Sequence, residues 1–140
     1  MDDIIDENEE VVDEGPEPDW FIDLDWYKSN NRSFSILAGR CLCVKCRKRL
    51  KVEEAEPPAD KLLSAIRGCC SHEPGFITGE LPVMESVFRL FLSNGNQPLA
   101  LEEISGQLGE RHGANLYRTP VEVLSRLLDS DRYYGIKPVD

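Results

Sequence analysis

Five cysteines fall in two tight groups within thirty residues. Cys41, Cys43 and Cys46 lie in the segment from Arg40 to Arg49. Cys69 and Cys70 are adjacent, and His72 follows two residues later. Thiolates bind zinc tetrahedrally, and a C-x2-C pair lets two sulfurs reach one ion from a single turn. Two such groups joined by a short loop are how a small module closes around a metal. The pair Cys43/Cys46 and the pair Cys69/Cys70 are separated by 22 residues, near the spacing of ribbon-like zinc sites. Cys43, Cys46, Cys69 and Cys70 are therefore the expected ligands. Adjacent cysteines do not easily point at one ion, so Cys41 or His72 stands as an alternate for one of the last two. Four protein ligands leave no position for water, so the zinc is expected to be structural. An iron–sulfur cluster is the competing occupant of this many thiols, and reduced core cysteines without metal are the plain alternative.

The compartment bears on that choice. The chain opens on acidic residues where an export signal is basic, and it has no apolar run of eighteen residues. A cytoplasmic chain with no membrane span is expected, and in a reducing compartment clustered cysteines are metal ligands before they are disulfides. Five is also odd, which pairing alone would leave unsatisfied.

Charge divides the chain. Residues 1–25 carry 12 Asp/Glu and no Lys/Arg, residues 26–80 carry 10 Lys/Arg against 6 Asp/Glu, and residues 81–140 carry 6 against 8. The net charge of −10 belongs to one end. The acidic start, with few apolar residues to offset ordering entropy, predicts a disordered tail over 1–18. It runs into an aromatic burst, Trp20-Phe-Ile-Asp-Leu-Asp-Trp26-Tyr27, which reads as a docking segment or as aromatics packed on the protein's own core.

Three divisions are expected: the acidic tail and aromatic segment over 1–25, a cysteine-rich zinc module over 26–80, and a helical domain over 81–140. In the second, Phe34–Ala38 is a short apolar run, a strand or a helix end. Asp60–Arg67 is a helix with Leu62, Leu63 and Ile66 on one face and Gly68 just past its end. In the third, Pro82 starts an apolar helix that Asn94-Gly95 stops, Leu101, Ile104 and Leu108 mark a second, and Val121, Leu124, Leu127 and Leu128 a third. Thr119-Pro120 with Glu122 predicts a capped start for the third helix. Arg132–Lys137 closes as a short strand. Three helices and a terminal strand or hairpin in about sixty residues are the parts of a winged helix. The fold class expected is α+β, mainly helical: a small zinc-binding module followed by a winged-helix domain. A module so small buries too little to stand alone, so metal loss is expected to unfold 40–75 and spare the last sixty residues.

The stretches Pro98-Leu-Ala-Leu-Glu-Glu-Ile-Ser-Gly-Gln-Leu, Tyr117-Arg-Thr-Pro-Val-Glu-Val-Leu-Ser-Arg-Leu-Leu and Asp131-Arg-Tyr-Tyr-Gly-Ile-Lys-Pro138 resemble the HARE-HTH type of winged helix, as carried by the delta subunit of bacterial RNA polymerase. In that family a helix reading L..I...L precedes a second helix and a closing strand of the form D-x-R-[FY]-x-x-x-G-[IL]-[RK]. Asp129 to Lys137 fit the closing pattern with a shorter spacing. The resemblance covers about sixty residues and is silent on the cysteines. Delta carries its acidic tail at the other end, so this chain departs from it in order. The resemblance implies an accessory or regulatory protein in transcription, docking on a protein complex such as RNA polymerase.

Arg40, Lys45, Arg47, Lys48, Arg49 and Lys51 flank the cysteine knuckle. They are candidates for gripping phosphates, with a solvated face or a landing place for the acidic tail as the alternatives. Arg118 and Arg126 are the basic residues at the third helix. Its other outward residues, Glu122, Ser125 and Asp129, are a poor set for reading a major groove, which favours a protein partner over sequence-specific DNA. Trp20, Trp26, Tyr133 and Tyr134 are the candidate partner contacts, with wing core as the alternative for the tyrosines. No Ser/His/Asp set, P-loop or dinucleotide turn appears, and His112 suits a helix end, so neither catalysis nor a small-molecule substrate is expected.

Overall fold

The computed structural model describes residues 18–52, 56–111 and 119–139. Within them the chain is mainly helical, with one small sheet. Strand β1 (Trp20–Ile22) leads into helices α1 (Leu24–Ser29), α2 (Phe34–Gly39), α3 (Val44–Leu50) and α4 (Ala59–Gly68). A 3-10 turn at Cys70–His72 follows, then α5 (Val83–Ser93), α6 (Leu101–Arg111), α7 (Val121–Asp129) and β2 (Ile136–Pro138). The acidic residues 1–17, His112 and Arg118 lie outside the described residues.

Helix α5 is the centre. Its buried Val87, Phe88, Leu90, Phe91 and Leu92 cover most of its circumference, so it must be wrapped on several sides. Fully burying each Phe or Leu contributes about 1.5–3 kcal/mol. Helix α4 lays Leu62, Ala65 and Ile66 on it, and α6 brings Leu101, Ile104 and Leu108. Helix α7 packs on α6 through Leu124 and Leu128.

The sheet joins the two ends of the described chain. β1 and β2 run antiparallel with Trp20 opposite Pro138 and Ile22 opposite Ile136. On its other edge Trp20 exchanges two backbone hydrogen bonds with Leu99, at 2.8 and 3.0 Å. β2 thus takes its partner from the start of the fold, not from a neighbouring hairpin strand.

Side chains finish that sheet. Asn96 sits at φ 61°, and its carboxamide pairs with both backbone groups of Ile22, accepting from the N–H and donating to the carbonyl at 2.9 Å each. Asp131 is buried in the turn before β2. Its oxygens accept from the N–H groups of Tyr133, Tyr134 and Ile136 at 2.9–3.0 Å, which satisfies a buried charge. Gly135, at φ 70°, lies under Trp26 and Tyr27, and a Cβ there would stand 2.8 Å from both rings.

The boundaries expected at 25/26 and 80/81 do not separate cores. Trp20 and Ile22, Phe34 and Ala38, Cys46 and Leu62, and Phe88 to Ile136 belong to one continuous apolar cluster. The Tyr27 hydroxyl donates to the Tyr134 carbonyl at 2.6 Å, and Phe34 meets Phe88 edge-on at 6.3 Å. Residues 40–75 and the last sixty thus contribute to one apolar cluster. Phe34–Ala38 is helix, not strand. The capped start of α7 is also corrected, since Pro120 stands at the cap and no side chain caps it. Among the described residues no helix is long and apolar enough to cross a membrane.

Candidate metal centre

Cys43 is the N-cap of helix α3, which places Cys46 one turn on, and Cys46 is fully buried. Helix α4 delivers the second pair. Gly68 is the last residue of that helix, not a hinge beyond it. The bend is made by Cys69 itself, at φ −139° and ψ −67°, between α4 and the 3-10 turn. That single non-helical residue lets two adjacent side chains converge.

The sulfurs of Cys43, Cys46 and Cys70 all lie within 4.8 Å of one another. Cys43 Sγ is 3.6 Å from Cys70 Sγ and 3.9 Å from Cys69 Sγ. A disulfide would need about 2.05 Å, and all five cysteines are free. At a Zn–S distance of about 2.3 Å, a tetrahedral site sets its sulfurs about 3.8 Å apart. The observed separations straddle that value, so the four thiols could hold one metal ion.

The surroundings suit concentrated negative charge. The Cys43 N–H donates to Cys70 Sγ at 3.2 Å, and Arg49 Nη2 donates to Cys46 Sγ at 3.4 Å. Such donors to metal-bound sulfur fix ligand orientation and offset thiolate charge. The backbone at Cys46, and then neighbouring thiols, draw the Cys43 thiol down to about 7. Burial is the first cause that raises Cys46 and Cys70, while hydrogen bonding with Cys46 is the first that raises Cys69. One thiol is drawn down and three are pushed up, so burial and the neighbouring thiols disfavour accumulated thiolate charge, which a bound divalent cation would offset.

The two alternates stand apart. Cys41 is buried on another wall, with its thiol toward the Leu37 carbonyl at 3.9 Å and its pKa pushed up by burial to about 11. His72 is exposed at the end of the 3-10 turn. Among the described residues, the one group of metal-type ligands with this proximity is the cysteine cluster.

The basic residues divide. Arg40, Lys45, Lys48 and Lys51 are exposed. Arg47 is not a free phosphate contact, because its Nη1 donates to the Gly39 carbonyl at 2.6 Å and closes the end of α2. Arg126 is exposed on α7. Of the aromatic candidates, Trp20 is buried at 4% exposure and packs in the core, the second of the two readings its segment offered. Tyr134 is half-buried, its ring 5.0 Å from Phe88. Trp26 is half-buried, with Lys137 and Arg32 beside its ring at 5.6 and 5.9 Å. Tyr133 is exposed, and the Arg32 guanidinium stacks on it at 4.3 Å. Sequence reasoning passed over Arg32. Its only signal is the Asn30-Asn31 turn before it, in which Asn31 takes φ 55°.

No protein-family model, no curated protein and no solved structure matches this chain.

Proposed function

We propose that the chain is a non-enzymatic, zinc-stapled accessory or regulatory protein of transcription, docking on a larger complex such as RNA polymerase. The observation that carries the first half is the convergence of the Cys43, Cys46 and Cys70 sulfurs within 4.8 Å of one another, with Cys69 Sγ 3.9 Å from Cys43 Sγ. Four soft ligands complete a tetrahedral shell and leave no position for a substrate, so the metal's work is to hold α3 against the end of α4. Zinc fits an all-thiolate set in a reducing cytoplasm, and an iron–sulfur cluster is the rival occupant.

The second half rests on the HARE-HTH resemblance. Three helices, α5, α6 and α7, follow one another with β2 after them, and α6 packs on both of its neighbours, an order that supports this reading, although β2 pairs with β1 and not with a hairpin strand. The Asp131 and Gly135 positions of the closing motif have structural work to do here, in the turn that feeds β2. A protein partner is favoured because α7 presents Glu122, Ser125, Arg126 and Asp129 outward or partly so.

A second reading has its own observation. Lys45, Lys48 and Lys51 are exposed on and just after α3, a surface suited to nucleic-acid phosphates. A tagged full chain recovered from host lysate with and without nuclease separates the two. Nuclease-resistant recovery of RNA polymerase subunits supports transcription docking. Recovery that vanishes with nuclease supports the phosphate grip. Recovery of an unrelated complex rejects the transcription reading.

A further inference from the structure

We infer that the cleft between α2 and the turn before β2 is a docking site for the chain's own acidic segment, residues 2–14. The cleft measures about 470 Å³ and is lined among others by Arg32, Ile36, Leu37, Arg40 and Tyr133. Two of the few exposed large apolar side chains meet there, Ile36 at 53% and Tyr133 at 41% exposure. Arg32 and Arg40 stand on its rim, and among the described residues neither makes an ion pair. Of the nearby carboxylates, Glu85 is taken by Arg89 at 2.9 Å and Glu56 accepts from Ser33 at 3.1 Å. The lining is mixed, with Asn30, Asn31 and Ser33 beside the apolar side chains and the two guanidinium groups, which suits a segment that is itself both apolar and acidic.

The complementary chemistry is in the same chain. Asp2 to Glu14 hold eight carboxylates around two apolar pairs, Ile4-Ile5 and Val11-Val12. The apolar pairs suit the exposed Ile36 and Tyr133, and flanking carboxylates suit the arginines, which pair with them bidentately. Reach is ample. Val139 donates to the Asp19 carbonyl at 2.8 Å, and Tyr133 is six residues back along the chain from Val139. The cleft therefore lies within roughly 20 Å of the point where the segment joins the fold, against a span of roughly 60 Å for seventeen extended residues. Attachment makes the encounter intramolecular, so weak contacts suffice. The segment then covers the surface an acidic partner would use, and such a partner must displace it. This inference does not depend on the metal or on transcription.

The test is amide NMR on the full-length protein with the eight carboxylates changed to their amides. The expected result is displacement of the Asn31, Arg32, Ile36, Arg40 and Tyr133 amide signals, matched in the unaltered chain by raising salt to 1 M. A double variant, Arg32→Glu with Arg40→Glu, should abolish the response to neutralising the tail. Tenfold dilution should leave the signals unmoved. No displacement, displacement confined to Lys45 and Lys48 on α3, or a dilution-dependent signal from a second copy would each overturn the inference.

Discussion

Cys43 and Cys70, 27 residues apart in the chain, meet twice: the Cys43 N–H donates to Cys70 Sγ at 3.2 Å, and the two sulfurs lie 3.6 Å apart. One contact orients the Cys70 sulfur, and the other is close to the edge of the tetrahedron that a bound ion would require. The pair also ties the start of α3 to the end of α4, and α4 lies directly on α5. Knuckle and core are thereby linked, and an ion held by the cysteines would join that link.

That linkage predicts how the protein melts. A site holding metal at 100 times its dissociation constant adds about 2.7 kcal/mol, which is roughly 10 °C in Tm for a chain this size. Chelation should lower the midpoint by that order and keep one transition, seen alike by far-ultraviolet dichroism and calorimetry. Two separated transitions would show that the cysteine region and the last sixty residues unfold independently.

Gly135 is required by both its backbone and its surroundings. Gly135→Ala places a methyl 2.8 Å from the Trp26 and Tyr27 rings at φ 70°. A loss of about 2–4 kcal/mol in urea unfolding is expected. Gly75→Ala, which meets nothing within 4 Å, is the control and should stay within about 0.5 kcal/mol.

Ser86 is fully buried on α5, and among the described residues its hydroxyl has no hydrogen-bond partner. Ser86→Ala removes the unpaired group and improves helix propensity, so a gain of about 0.5–1.5 kcal/mol is expected. A loss of stability would show that the hydroxyl is satisfied in solution.

Much of the helical part was legible. Apolar spacing marked α4 to α7, and Pro82 and Asn94-Gly95 bounded α5 because they act locally. The short helices α1 to α3 were not, because six or seven residues fold on tertiary support and carry little periodicity. The pairing of β1 with β2 joins the two ends of the described chain, which no local pattern encodes. Trp20 read either as a docking residue or as core, because burial of a tryptophan depends on that pairing. Among the cysteines, spacing identified the clustered four, while only geometry separates Cys41 from them.

Cys41 has a distinct chemistry. Burial raises its pKa to about 11, so below that pH the thiol form dominates and at pH 8 the thiolate is about one part in a thousand. Iodoacetamide on the native protein at pH 8 should leave Cys41 unmodified, with labelling rising as pH approaches 11. Rapid labelling at pH 8, read by peptide mass spectrometry, would contradict its burial.

The central measurement is metal stoichiometry by elemental analysis of the full-length protein, expressed with both zinc and iron supplied, beside single Cys→Ser variants. A closed four-thiolate site predicts one zinc per chain, retained in Cys41→Ser and His72→Ala and lost or sharply reduced in Cys43→Ser, Cys46→Ser, Cys69→Ser and Cys70→Ser. A folded protein that carries no metal, or one that carries iron with sulfide, would contradict it.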